Sequence, residues 1–510
     1  MQPGATKGAD GFPAETRGAL LHTGTAVAVV ALLAAGTYLV PGLERLRPWN
    51  PGDPVPLARL FERWGELEVP AFAGAGGSYR APDRVSEGTA RQLGRAVAGN
   101  IGEAGGGPGH GGGSGGRGTS SPAIRIDPDE YEGIDVEIQN RDALRQFYDA
   151  LEHTASEERG ALTRVGHYGD SSIATDLITY TMRRRLQQRF GDGGHGFMLV
   201  ARGTMPYLHR DVTHRASAGW EIRQIVASQD RTGLYGYGGV VYRAGAGAFA
   251  SFGTDDRGPV GGRVSRFGLF YRRDPAGGSI RYRVDAGEPQ MLSTRGAAGD
   301  ALEVIDVPDG RHTMEIRPGG GGQIRLYGVT LEREGPGVVY DSLGLVGARA
   351  RRLLNYDREH IAMQMELRDL DLLVLGFGGN EADDPLSRMP RYEAEFARVI
   401  RRMRAGRRSM SCLIFAPLDQ AGRDQYGRMR TMPTVPLIVE AQRNAARQEG
   451  CAFYDTYAAM GGEGAMSNWA RARPRLALAD FRHATPAGYE VIGNMFYKAL
   501  LKGFAEHLSR

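Results

Sequence analysis

Two uninterrupted apolar runs constrain this chain more than any other feature: Asp371–Gly376 (DLLVLG) and Met410–Ala416 (MSCLIFA). Runs this short and this apolar read as strands buried on both faces, as a parallel sheet covered by helices requires. Their surroundings keep the same rhythm. Ala161–Tyr168 (ALTRVGHY) reads as a strand ending in Gly169-Asp170-Ser171, and Ile173–Phe190 as the amphipathic helix after it. Val338–Asp341 is a short strand and Gly347–Leu354 opens a helix. Tyr392–Ala405 and Pro436–Gln448 are helices, Cys451–Asp455 (CAFYD) is a fifth strand, and Pro486–His507 closes as a long helix. Ahead of all these, Arg141–Glu152 puts Leu144, Phe147, Tyr148 and Leu151 on one helical face. Five strands alternating with helices predict an α/β fold built on an open, five-stranded parallel sheet.

One stretch breaks the rhythm. Between about Gly196 and Gly337, short runs such as VVYR, FGLFYRR, SIRYRVD and IRLYGVTLE are punctuated by Gly, Asp and Pro at strand-plus-turn spacing. This predicts an all-β sandwich, jelly-roll-like, inserted into the α/β body. Residues 99–121 (GNIGEAGGGPGHGGGSGGRGTSS) bury almost nothing and read as a flexible linker. Thr23–Val40 (TGTAVAVVALLAAGTYLV) carries no charge and, at helical rise, spans roughly 27 Å. It reads as an uncleaved transmembrane anchor; a cleaved signal peptide, giving a secreted protein, is the alternative. Basic residues flank it on both sides, so charge does not orient it. The expected division is a tail (1–22), an anchor (23–42), a stalk and linker (43–121), a first α/β part (122–196), the β insertion (197–336) and a second α/β part (337–510).

The formal net charge is only +4, with Arg and acidic residues interspersed throughout, which argues against a nucleic-acid partner. The two cysteines, Cys412 and Cys451, each fall in a buried strand and are expected as small core residues rather than as a disulfide. No Cys/His spacing suits a metal, and His195, His209 and His214 read as turn or surface residues.

In a parallel sheet, chemistry gathers where strands end and loops begin. Three polar clusters sit there. Gly169-Asp170-Ser171 exposes a hydroxyl in a turn between strand and helix. Asn380, in Gly378-Gly379-Asn380-Glu381, offers a side-chain amide to a developing oxyanion, or else caps a helix. Asp480-Phe481-Arg482-His483 places an imidazole just before the last helix, with an Asp three residues upstream to hold its tautomer.

Together these clusters resemble the SGNH/GDSL family of serine hydrolases, over about Ala161–Gly196 and Gly337–His507. Gly169-Asp170-Ser171 is similar to the family's first block, Asn380 to the third, and Asp480 with His483-Ala484-Thr485-Pro486-Ala487-Gly488-Tyr489 to the fifth. Ser172 replaces the Leu of the GDSL name, and Glu381 stands where Asp is frequent. The resemblance implies a flavodoxin-like three-layer fold and a catalytic triad of Ser171, His483 and Asp480. It implies an oxyanion hole from the Ser171 amide, the Asn380 side chain and a second-block glycine, with Gly344 the better match and Gly347 its competitor. It implies no metal and no organic cofactor. Members with an inserted, carbohydrate-binding-like β-sandwich act as peptidoglycan or polysaccharide O-acetylesterases. The expected substrate is therefore an acylated cell-envelope glycan, met outside the cytoplasm by a membrane-held enzyme. Trp220, Tyr235 and Tyr237 are the candidate sugar-stacking residues, while Tyr271 and Tyr282 read as strand core. An acyltransferase with the same triad and a non-catalytic glycan-binding protein are the rival readings.

Overall fold

The computed structural model describes residues 124–510, apart from 203–206, 228–229 and 259. The expected anchor, stalk and linker lie outside the described residues. Among the described residues no helix is long and apolar enough to cross a membrane.

The body opens with helix α1 (Arg145–Ala155), strand β1 (Leu162–Gly169), a single turn α2 (Ser171–Ala174) and helix α3 (Leu177–Phe190). Eleven strands follow before the helical rhythm returns. They are β2 (Gly196–Met198), β3 (Val212–Ala216), β4 (Trp220–Gln224), β5 (Val240–Ala244), β6 (Ala250–Thr254) and β7 (Val264–Arg273). Then come β8 (Ser279–Val284), β9 (Gln290–Ser293), β10 (Gly299–Gly310), β11 (Thr313–Gly320) and β12 (Arg325–Glu332). The body resumes with β13 (Gly337–Gly344), α4 (Arg358–Arg368), β14 (Leu372–Gly376), α5 (Met389–Met403) and β15 (Ser411–Phe415). It ends with a small hairpin, β16 (Ala421–Arg423) and β17 (Met429–Thr431), then α6 (Thr434–Gln448), β18 (Ala452–Tyr454), α7 (Thr456–Ala459), α8 (Ala465–Arg471) and α9 (Pro486–Leu508).

Five strands form the parallel sheet, in the order β13-β1-β14-β15-β18. The alternation within DLLVLG shows why it is covered on both sides. Leu372 and Val374 join one core with α1, α3 and α9, while Leu373 and Leu375 join another with α4, α5 and α6. The second core runs on without a break into the β region, through Tyr168, Phe197, Tyr237 and Leu343.

The β region is antiparallel and forms an additional domain within the chain. One sheet has the order β10-β7-β12-β5-β4, with β2 also on β12, and the other β3-β6-β11-β8-β9. Phe252, Met314 and Ile316 of the second sheet share a core with Phe267, Leu269 and Leu326 of the first. A buried charge network ties this domain down. Arg368 donates to Asp341 (2.7 and 3.0 Å) and to Glu332 (2.6 Å), Arg164 also reaches Glu332 (3.0 Å), and Tyr237 Oη donates to Asp341 (2.9 Å).

Three expectations need correction. Cys412 and Cys451 form a disulfide, because β15 and the entry to β18 are neighbours and bring the two Cα atoms to 4.8 Å. Helix α4 lies where no helix was assigned. Gly347–Leu354, expected to open a helix, contributes a 3-10 turn at Ala350–Asn355.

Candidate active site

The strands β1, β14 and β15 all end at one edge of the sheet, and the three polar clusters meet there. Ser171 is the first residue of α2. Asp170 caps that turn, its carboxylate accepting from the Ser172 amide (3.0 Å) and hydroxyl (2.9 Å). Burial raises the Asp170 carboxyl above its ordinary range, against those hydrogen bonds.

The last loop brings the imidazole to the hydroxyl. Thr485 caps α9 by accepting from the Gly488 amide (3.1 Å), and Pro486 occupies the first turn, where a missing N–H costs nothing. The chain before it bends sharply, with Phe481 at φ +56°. His483 Nε2 lies 3.0 Å from Ser171 Oγ, and His483 Nδ1 lies 2.7 Å from Asp480 Oδ2. The other Asp480 oxygen accepts from the amides of Arg482 (3.0 Å) and His483 (3.1 Å). Burial alone raises the Asp480 carboxyl, but these amides and the His483 ring outweigh it and hold it below the usual range. An Asp accepting Nδ1–H leaves Nε2 free to accept the serine proton. Arg482 is clamped in turn by both carboxylate oxygens of Asp383 (2.7 and 2.8 Å), which fixes the loop that carries His483.

A small cavity of about 70 Å³ opens beside Ser171. Its apolar lining comes from the ends of β14 and β15, with Phe377, Phe415 and Pro417; its polar rim is Asn380, Gln420, Arg482 and His483. Gln420 donates to the Gly379 carbonyl (3.0 Å), and Asn380 Nδ2 to the Ala348 carbonyl (2.9 Å). Behind the rim, Glu381 is buried, accepts from the Ala350 amide (2.7 Å), and is pushed by that burial up to about 8.

The two candidate oxyanion glycines differ. Gly344 is the buried last residue of β13, and a Cβ there would meet the backbone of Ile173 and Ala174 at 2.1–2.5 Å. Gly347 is exposed, at φ +74°, with open space where a Cβ would be, one residue from the carbonyl that Asn380 holds.

The candidate sugar-stacking residues are not at the site. Tyr235, Tyr237 and Trp220 are 1%, 0% and 6% exposed. The Gly-rich loop carrying the two tyrosines docks on α4: the Gly236 amide donates to His360 Nε2 (2.7 Å) and the Tyr237 amide to Gln364 (3.0 Å). Trp220 points inward, its indole N–H on the Phe249 carbonyl (2.9 Å). Tyr271 is core as expected, and Tyr282 packs half-buried against it. His195, expected in a turn or at the surface, is buried with its Nε2 2.8 Å from His209 Nδ1, and His214 is half-buried with its Nε2 on the Val200 carbonyl (3.0 Å). Gln420, Arg482 and Asp383 were not singled out from the sequence, because only the folded chain brings their loops together.

Residues 310–491 match the model of the GDSL-like Lipase/Acylhydrolase family, a span that holds Gly344, Gly347, Asn380, Asp480 and His483 and leaves Ser171 outside. No curated protein matches. Among solved structures, a peptidoglycan O-acetylesterase is similar with a TM-score of 0.59 and 22% identity, over 71% of this chain and 96% of that one. Two looser likenesses are a family two carbohydrate esterase from Cellvibrio japonicus (TM-score 0.18, 11% identity, 47% and 85% covered) and a salicylyl-acyltransferase from a tetracycline biosynthetic pathway (TM-score 0.25, 15% identity, 58% and 96% covered). The parallel sheet and the matched span agree: residues 310–491 carry a GDSL-like lipase/acylhydrolase domain, and together they support a carboxylic ester hydrolase on an SGNH fold.

Proposed function

We propose that Ser171, His483 and Asp480 are the catalytic triad of an O-acetylesterase acting on a cell-envelope glycan. The observation that carries this is the hydrogen-bonded chain from Ser171 Oγ through His483 to Asp480, at 3.0 and 2.7 Å. In the reaction, His483 Nε2 takes the hydroxyl proton as Ser171 Oγ attacks the ester carbonyl, and Asp480 stabilises the imidazolium. The same proton goes to the departing sugar alkoxide. Water, deprotonated by His483, then releases the acid from Ser171.

The Ser171 amide and Asn380 Nδ2 are proposed oxyanion donors. For the third we propose Gly347 in place of Gly344, because Gly344 is packed into the Ile173–Ala174 backbone while Gly347 is open beside the Asn380 loop. Losing one such donor costs about 3 kcal/mol of transition-state stabilisation. The cavity of about 70 Å³ suits a short acyl group such as acetyl.

The glycan is proposed from the fold shared with a peptidoglycan O-acetylesterase and from the antiparallel domain, read as carbohydrate-binding. A location outside the cytoplasm, held by Thr23–Val40, is supported by the apolar run itself and by the Cys412–Cys451 bridge, since disulfides persist in oxidising compartments. The test is acetate release from an O-acetylated glycan and from a small aryl acetate, with wild type and Ser171→Ala. Loss of both activities with unchanged circular dichroism is expected. Undiminished turnover by the variant would overturn the reading, as would failure of a serine-reactive phosphonate to label Ser171.

A further inference from the structure

Many of the described arginines are paired with acids, as with Arg183 and Asp176 or Arg482 and Asp383. One concave surface gathers arginines with little acid beside them. A cavity of about 470 Å³ is lined by six arginines, Arg358, Arg398, Arg401, Arg402, Arg404 and Arg408, against a single acid, Glu449. Three of the six have internal work. Arg401 pairs with Glu449. Arg402 donates to the carbonyls of Leu354 (3.0 Å) and Tyr356. Arg404 donates to those of Glu449 (2.8 Å) and Arg408 (3.1 Å), tying down the end of α5. Glu449 is thereby spent. The side chains of Arg358, Arg398 and Arg408 are exposed and make no ion pair among the described residues. Burial, with Arg408 close by, already lowers the Arg404 guanidinium from its ordinary range despite Glu449. So the cavity holds an excess of positive charge that the protein does not neutralise.

That excess specifies an occupant. Guanidinium forks match phosphoryl oxygens in pairs, which a lysine ammonium does not do. One phosphate monoester carries about −1.5 to −2, less than three free guanidinium groups. The volume falls in the range typical of small-molecule sites. The cavity is also separate from the esterase site. Arg408 and Glu449 immediately precede β15 and β18, whereas Ser171 and His483 sit where strands end; a five-residue strand separates the two edges by roughly 16 Å.

We propose that this cavity is a second binding site, for a soluble anion bearing two or more phosphoryl groups. The test is calorimetric titration of the full-length protein with inorganic pyrophosphate and tripolyphosphate at two salt concentrations, beside an Arg358→Ala/Arg398→Ala/Arg408→Ala variant. Aryl acetate turnover by that variant reports that it is folded. Saturable 1:1 binding that weakens with salt, and weakens more than about tenfold in the triple variant with turnover unchanged, is the expected result. Absence of saturable binding, equal binding by the variant, equally tight binding of citrate, or binding only to phosphatidylglycerol vesicles would each overturn it. The outcome is independent of whether Ser171 is the nucleophile.

Discussion

At the residue scale, two carboxyl groups near Ser171 make opposite contributions. Asp480 is held below its ordinary range by two amides and the His483 ring, and in the proposed mechanism it fixes Nδ1–H and offsets the imidazolium charge. Asp480→Asn keeps the shape and reverses the tautomer, so kcat on an aryl acetate is expected to fall about 10⁴-fold with little change in KM. Glu381 is buried with its pKa raised from 4.5 to about 8. Because the folded value exceeds the unfolded one, its contribution to stability is complete below about pH 4 and is lost as pH rises through about 8. Unfolding free energies of wild type, from denaturant titrations, are therefore expected to decline between pH 5 and 9 by on the order of a few kcal/mol, and those of Glu381→Gln to decline less. A parallel decline in both proteins would show that the carboxyl is not the cause.

At the scale of elements, helix α4 explains a miss. Its buried face is only partly apolar: beside Ile361 and Met365, His360, Gln364 and Arg368 recur every fourth residue, meeting Asp300, Gly236, Tyr237 and Glu332 of the antiparallel domain and Asp341 of β13. Hydrophobic periodicity is a weak signal for a helix in which three of the five buried residues are hydrogen-bonded rather than apolar. The loop of Tyr235 and Tyr237, expected to offer sugar-stacking rings, is buried instead because its glycines let backbone amides approach α4. The disulfide between β15 and β18 spans a sequence separation of 39 residues. A loop of that size contributes about 4 kcal/mol by the chain-entropy argument. Cys412→Ser/Cys451→Ser is expected to unfold at lower denaturant, with an unfolding free energy smaller by about 4 kcal/mol, and an unchanged midpoint would mean the bridge does not form in solution.

At the scale of the whole molecule, the antiparallel domain is joined to the α/β body by charge as well as by a shared core. Burial alone raises the Glu332 carboxyl, but Arg368 and Arg164 outweigh it and bring it down to about 2. Its contribution is present above about pH 4.5 and lost as pH falls toward 2, so acid is expected to loosen this junction. Arg368→Ala leaves Asp341 and Glu332 buried without their main partner, and a loss of about 3–5 kcal/mol is expected in equilibrium unfolding. Removing both partner charges as well, in Arg368→Met/Glu332→Gln/Asp341→Asn, is expected to recover part of that loss.

The order of strands and helices, the polar clusters at strand ends and the interruption by β structure were legible in the sequence, because each is written in local periodicity. The gathering of Ser171, Asn380, Asp480 and His483 at one sheet edge was legible because turn and cap residues sit at fixed offsets from the strands that present them. Only the fold decided that Cys412 meets Cys451, that Gly347 rather than Gly344 faces open space, that three aromatic candidates are core, and that six arginines share one cavity. Those are distances between segments remote in the chain, and a local pattern carries no information about them until the sheet and its insertion have packed.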